Sequence, residues 1–171
     1  MKKKLAILIL GNRNSGKSNT FYEFFGRVIK TGHKKIRFNK DEIKLFLKNS
    51  SFEEMNQEIT DDIFVRNSSF EEFGDNVEDY FDENNLPKII LCAVQYKEKG
   101  IKTIEYFKDR GYYLYIQWLN PGFKDSKEYE DFLNFNQFSE YGEFHKVSGK
   151  EKKLRTSQIK TFLLNFIANN Q

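Results

Sequence analysis

The sequence predicts an α/β fold in which helices cover both faces of a mainly parallel, five-stranded sheet. Two observations support this class. Apolar strand-like runs alternate with helical segments along the chain, and no linker or low-complexity tract divides it. The 171 residues suit a single domain, 1–171, with one substantial core, and 18 Phe and 9 Tyr supply large side chains for it.

The predicted elements alternate from the start of the chain. Residues 5–10 are apolar on both faces, as expected for a central parallel strand between two layers of helices. The first helix is predicted over 17–30 and ends before Gly32, a suitable left-handed cap. A strand at 35–38 follows, with a further candidate at 43–47. The later predicted strands are 88–94, 112–119 and 143–147, and the later predicted helices are 101–109, 127–138 and an amphipathic one carrying Ile159, Phe162, Leu163, Phe166 and Ile167.

The segment 39–86 contains a short repeat, since the run Asn49–Glu54 recurs as Asn67–Glu72. Each copy follows an apolar stretch, and Ser-x-x-Glu ahead of a helical pattern is typical of a capping box. We therefore expect two strand-to-helix transitions, the second leading into a helix over 70–83. Similar local geometry accounts for the repeat, and a duplicated binding element is the alternative.

Composition limits the classes of partner and compartment. The net charge of +3 and the dispersed basic residues give no specific signal for nucleic-acid binding. A single cysteine, Cys92, fits a reducing compartment. The apolar run after Met1–Lys4 is too short for a signal peptide, and no run is long enough to span a membrane. We expect a cytoplasmic protein without a membrane partner.

The most specific motif is Gly-x-x-x-x-Gly-Lys-Ser at Gly11–Ser18, between the first strand and the first helix. Gly11 allows a tight exit from the strand, and Gly16 lets the backbone approach an anion closely. The intervening N–H groups and the helix N-terminus would cradle a phosphate. Lys17 would reach the β- and γ-phosphates, and the Ser18 hydroxyl would take one Mg²⁺ position. The predicted nucleotide-binding residues are Gly11, Asn12, Arg13, Asn14, Ser15, Gly16, Lys17, Ser18 and Asn19.

With this Walker A motif the chain resembles the P-loop NTPase superfamily, most nearly its small kinase-like members. The resemblance rests on residues 11–18 and on the succession of strands. It implies a three-layer α/β/α fold with strand order 2-3-1-4-5, so that strand 88–94 lies beside the first. It also implies that 39–86 is an enlarged insert after strand two that faces a small-molecule substrate or a protein partner. The implied activity is Mg²⁺-dependent hydrolysis of a nucleoside triphosphate or transfer of its γ-phosphate.

The resemblance also calls for an acid at the end of strand 88–94, and the chain has Gln95 near that position instead. The Gln95 amide would orient water or touch the γ-phosphate, or it simply caps the strand. Asp41 is the best replacement acid, although Asn and Asp in such a run are also typical of a solvated turn. The catalytic candidates are therefore Lys17, Gln95 and Asp41.

The base is predicted to be adenine, so that ATP is the expected nucleotide. The run Asn39–Glu42 is similar to the guanine-reading Asn-Lys-x-Asp motif, but Glu42 stands where Asp is needed and the run follows an early strand. The later pair Ser148–Gly149 either contacts the base or is only a turn.

Phosphoryl transfer also needs positively charged side chains next to the γ-phosphate. The resemblance implies that arginines from a lid after the fourth strand supply this charge. The corresponding stretch, 120–144, contains Lys124 and Lys127 but no arginine. The candidate substitutes are Arg13, Arg37, Arg66 and Arg155. Two functions stay open: a phosphotransferase or NTPase, and a nucleotide-dependent interaction or switch protein in which 39–86 changes conformation.

Overall fold

The structure is a computed structural model that describes residues 4–26, 37–38 and 63–170. In this part of the chain, one sheet of five parallel strands and a short antiparallel edge strand is flanked by α-helices. The strands are β1 (Lys4–Gly11), β2 (Arg37–Phe38), β3 (Ile63–Arg66), β4 (Ile89–Gln95), β5 (Tyr112–Leu119) and β6 (Gly142–Val147). The helices are α1 (Lys17–Phe25), α2 (Glu98–Asp109) and α3 (Lys152–Ala168), with 3₁₀ turns at Phe70–Glu72, Val77–Tyr80 and Phe135–Tyr141.

The strand order across the sheet is β2-β3-β4-β1-β5-β6. Counting only the parallel strands along the chain, this is the predicted order 2-3-1-4-5. The central strand β1 pairs with β4 and β5, and its last residue, Gly11, lies opposite Gln95. The carboxyl ends of the parallel strands therefore meet at one edge of the sheet, which is where ligands bind in open α/β folds.

Both faces of β1 are buried, as the apolar run predicted. Alternate residues of a strand point to opposite faces. Leu5, Ile7 and Ile9 pack against α1 and α3, whereas Ala6, Leu8 and Leu10 pack against α2 and the aromatic residues around it. The sheet is thus the middle of three layers, and the predicted α/β class with helices on both faces is confirmed.

The second parallel strand is β3, not the predicted strand at 35–38. Residues 37–38 form an antiparallel edge strand beside β3, and β3 pairs in parallel with β4. Every residue of Ile63–Arg66 is buried, as expected for a strand inside the sheet. The segment 39–86 is therefore not one insert, because it contains a strand of the sheet. Residues 39–62, with the candidate strand 43–47 and the first repeat copy, lie outside the described residues.

Two predicted helices are wrong. The stretch 70–83 forms two 3₁₀ turns, and Ser69 makes no capping hydrogen bond through its side chain. Gly74 interrupts the stretch in a left-handed conformation, which breaks the helical path. The stretch 127–138 is irregular up to a 3₁₀ turn, because the Asp131 carboxylate accepts the N–H groups of Phe135 and Asn136. Such local side-chain bonds compete with a helix.

Helix α1 covers Lys17–Phe25, whereas the sequence predicts a helix over 17–30. It ends at Phe25, and Gly26 caps it in a left-handed conformation by donating its N–H to the Glu23 carbonyl. The predicted cap, Gly32, lies outside the described residues. None of the helices in the described ranges is both long and apolar enough to cross a membrane.

Candidate functional site

The loop Gly11–Ser18 lies at the carboxyl edge of the sheet and joins β1 to α1. Asn14 and Gly16 adopt positive φ angles, 60° and 101°, and Ser15 N–H closes a turn to the Asn12 carbonyl at 3.2 Å. A β-carbon at Gly11 would lie only 2.3 Å from Ser15 Oγ, so a side chain there would push the loop open. The two glycines of the motif therefore hold a tightly folded loop.

The loop and the start of α1 border a cavity of about 310 Å³, here called the loop cavity. In an α-helix the N–H groups of the first turn have no acceptor within the helix, and the N-terminus is the positive end of its dipole. The first turn of α1 contains no acidic residue that would neutralise it. This end of α1 suits an anion. The cavity is lined by Asn14–Asn19, Glu72, Phe123 and Lys124.

Lys17 is buried beneath the loop. Its ammonium donates to the carbonyls of Gly11 at 3.0 Å and Asn12 at 2.8 Å, and it lies 3.8 Å from a Glu72 carboxylate oxygen. Burial lowers the pKa of Lys17, and the neighbouring carboxylates of Glu72 and Glu71 offset part of this effect. Lys17 therefore brings a poorly solvated positive charge to the border of the cavity.

Ser18 faces the residues that follow β3, because its hydroxyl donates to the Asn67 carbonyl at 3.5 Å. Glu72 lines the same cavity as Ser18. A hydroxyl is a hard oxygen donor of the kind that Mg²⁺ takes when phosphates and water complete its coordination. No cluster of three His, Cys, Asp or Glu side chains suited to a metal ion occurs within 4–26 or 63–170. The donors present therefore fit Mg²⁺ bound together with phosphate oxygens.

The structure brings Gln95 close to the loop and adds two carboxylates that the sequence reasoning missed. Gln95 ends β4 beside Gly11, and its backbone N–H donates to the Glu71 carboxylate at 3.1 Å. Glu71 also accepts the Thr103 hydroxyl, so its carboxylate is held at the end of β4. Glu72, the next residue, reaches Lys17. The sequence signal for these carboxylates is the polar run that follows the apolar residues 63–65, although the same run is also typical of a helix start. Asp41 lies outside the described residues.

The candidate arginines have different roles. Arg13 is exposed on the loop, whereas Arg66 is fully buried in an ion pair with Asp75 at 2.9 Å, stacked on aromatic rings. Arg155 is also fully buried and donates to the Thr20 hydroxyl and to the Gly149 carbonyl at 2.9 Å. Burial lowers the pKa of the Arg155 guanidinium to about 10, so it is charged at neutral pH. The side chain of Arg37 lies outside the described residues.

The pair Ser148–Gly149 lies next to the loop, where Gly149 packs against Ser15. Gly149 N–H donates to the Pro121 carbonyl at 2.7 Å, and Phe123 N–H donates to the Ser15 carbonyl at 2.8 Å. A β-carbon at Gly149 would lie 2.3 Å from the Ser15 carbonyl oxygen. Gly149 thus lies in a turn that is packed against residues 15 and 121–123, and contact of this turn with a base stays a prediction.

The site as a whole combines a helix N-terminus, a buried lysine, a buried arginine and a pair of carboxylates at one edge of the sheet. No protein-family model, curated protein or solved structure matches the chain. The chemistry of the groups themselves indicates what they can do. Positive charge and unpaired helix N–H groups attract an anion, and a carboxylate at the same cavity accepts a proton or a metal ion.

Proposed function

We propose that the chain binds a nucleoside triphosphate, ATP in the first instance, through Gly11–Ser18 and hydrolyses it or transfers its γ-phosphate to an acceptor. The observation that carries the proposal is the strand-loop-helix segment itself. Lys17 is buried within it, and the first turn of α1 opens onto a cavity of about 310 Å³. Backbone N–H groups and a lysine at a helix N-terminus are suited to polyphosphate.

Arg155 supports an anionic ligand independently. Among the described residues no carboxylate lies within ion-pair distance of this fully buried guanidinium, which donates to the Thr20 hydroxyl on α1 and to the Gly149 carbonyl. Its Nη2 lies 3.7 Å from where a β-carbon of Gly16 would be. Burying a cation without an anionic partner is costly. Arg155 does not line the loop cavity, so a polyphosphate on the loop would offset its charge through space and not by direct contact.

In this proposal each group has a task. The N–H groups of the loop and of α1 bind the β- and γ-phosphates, and Lys17 moves from the Gly11 and Asn12 carbonyls to the phosphate oxygens. The Ser18 hydroxyl and the phosphate oxygens would hold Mg²⁺, which would supply charge neutralisation. Lys124, at the rim of the cavity, replaces one of the lid arginines that the chain lacks between 120 and 144.

The test compares wild-type protein with Lys17→Ala by calorimetric titration with MgATP and MgGTP, and by release of ADP. Loss of a charged hydrogen-bond donor is expected to weaken ATP binding about tenfold or more and to abolish turnover. Lys102→Ala is the matched control, since Lys102 is an exposed lysine of α2 that lines no part of the cavity. Equal affinity of wild type and Lys17→Ala, or no binding of either triphosphate, would refute the proposal.

A nucleotide-dependent switch is the second candidate, and one observation favours it. Residues that follow β3 contact the loop directly, through Ser18 to the Asn67 carbonyl and Lys17 to Glu72. A phosphate that recruits Lys17 and Ser18 would break both contacts and release 67–72. Hydrogen exchange of this segment in MgATP and in MgADP measures the effect. Different protection in the two states without turnover supports the switch, and equal protection contradicts it.

A further inference from the structure

A second cavity of about 450 Å³ adjoins the loop cavity, and we call it the acceptor cavity. The two cavities share Asn14 and Glu72 in their linings. On its other side the acceptor cavity is bordered by Gln95 and Lys97 at the end of β4 and by Phe73 after β3. Its position at the carboxyl edge of the sheet puts it next to the place where the proposed γ-phosphate would lie.

Glu72 is the group that connects the two cavities. Its carboxylate lies 3.8 Å from the Lys17 ammonium, and 29% of its side chain surface is accessible. An ionised carboxylate only accepts hydrogen bonds, so a ligand in the acceptor cavity that approaches Glu72 must present a donor such as a hydroxyl. That hydroxyl would lie at the boundary between the cavities.

Two cationic side chains, Arg13 and Lys97, border the acceptor cavity. Arg13 is exposed at its rim, and Lys97 lines it while using one of its three N–H donors on the Glu71 carbonyl at 2.9 Å. The Glu71 carboxylate is occupied by the Gln95 N–H and the Thr103 hydroxyl. Arg13 and Lys97 are the cationic side chains that border this cavity, and each can bind an anionic group on the ligand.

We propose that the acceptor cavity binds a small molecule that carries both a hydroxyl and an anionic group, and that Glu72 is the base for its phosphorylation. This inference rests on the proposed function. The acceptor hydroxyl oxygen forms a bond to the γ-phosphorus, and the bond from that phosphorus to the bridging oxygen breaks. The electron pair of the broken bond leaves with the nucleoside diphosphate, and the hydroxyl proton passes to the Glu72 carboxylate.

The first arm of the test measures binding of three probes by NMR titration: glycerol 3-phosphate, glycerate and glycerol. We expect the two anions to bind and glycerol not to bind. The anion with the higher affinity identifies either a phosphate ester or a carboxylate as the recognised group. Lys97→Gln is expected to weaken binding of the anion about tenfold. Lys102→Gln replaces an exposed lysine of α2 and is expected to leave binding unchanged. Equal binding of glycerol and the anions, or no effect of Lys97→Gln, would overturn the inference.

The second arm measures phosphorylation of the bound anion from MgATP. Glu72→Gln is expected to lower kcat about 100-fold or more while MgATP binding persists, as for loss of a general base. Glu78→Gln removes an exposed carboxylate that lines neither cavity and serves as the matched control. Full activity of Glu72→Gln, or no phosphorylation of a bound probe by wild type, refutes the inference while MgATP binding leaves the proposed function intact. Failure of wild type to bind MgATP refutes both.

Discussion

The contact between Gly149 and the loop gives the sharpest prediction about what holds the site together. A β-carbon at Gly149 would lie 2.3 Å from the Ser15 carbonyl oxygen, 2.4 Å from Phe123 N and 2.8 Å from the Gly122 carbonyl carbon. Ordinary contacts of this kind are 3.4–4 Å. In Gly149→Ala these backbone segments must therefore separate by about 1 Å, because no flexible side chain can give way instead.

The magnitude follows from the hydrogen bonds at this junction. Separation lengthens Phe123 N–H to Ser15 O, Gly149 N–H to Pro121 O, and the Arg155 bond to the Gly149 carbonyl. Two neutral bonds contribute about 1 kcal/mol each and the charged one about 1.5 kcal/mol, so we expect the free energy of unfolding to fall by about 3.5 kcal/mol.

Urea unfolding measured by the fluorescence of Trp118, the single tryptophan, provides the assay. This side chain is buried and stacked on Tyr96, so its emission is expected to change on unfolding. Gly111→Ala is the matched control. Gly111 has a positive φ of 74° but open space around its α-carbon, so its substitution costs about 1 kcal/mol of backbone strain alone. If Gly149→Ala destabilises no more than Gly111→Ala, the packed-loop argument is refuted.

Three further predictions concern buried groups. Cys92 is fully buried, which raises the pKa of its thiol, so a thiol reagent should label it only after unfolding; labelling of the folded protein at the rate of a free thiol contradicts this. Arg66→Ala should lower the free energy of unfolding by about 3 kcal/mol in urea, since it breaks a buried ion pair with Asp75, and a loss below about 1 kcal/mol would disprove it. Burial raises the pKa of Tyr96 and Tyr106 to about 12. Above pH about 10 the folded state then binds more protons than the unfolded state, so stability falls as the pH rises toward 12. Tyrosinate absorbance should accordingly appear at higher pH in the folded protein than in urea, and coincident curves would contradict this.

Local pattern was enough to predict β1, its burial on both faces and the position of the loop Gly11–Ser18. The motif and the apolar run are local, and a run buried on both sides has few alternatives to a central parallel strand. The strand order was also predicted, but the second strand was assigned to 35–38 instead of Ile63–Arg66. A strand of only four residues does not reveal by its sequence whether it pairs inside the sheet or at its edge.

The positions of Glu71 and Glu72 show why the sequence alone did not predict the carboxylates of the candidate site. Glu71 and Glu72 follow β3 in the chain, yet Glu71 bonds at the end of β4 and Glu72 reaches Lys17 on α1. The sequence analysis predicts the acid directly after residues 88–94, where the chain has Gln95. The structure supplies carboxylates at this edge from a neighbouring strand, because parallel strands end side by side whatever their separation in sequence.

The sequence by itself determined the α/β class, the loop and its lysine, since these depend on residue type at fixed spacing. Only the tertiary structure decided which groups share the site: Arg155 beneath the loop, Gly149 packed against Ser15, and Glu72 beside Lys17. These contacts join residues far apart in the chain. They arise from the packing of loops and helices at one edge of the sheet, which no local spacing encodes.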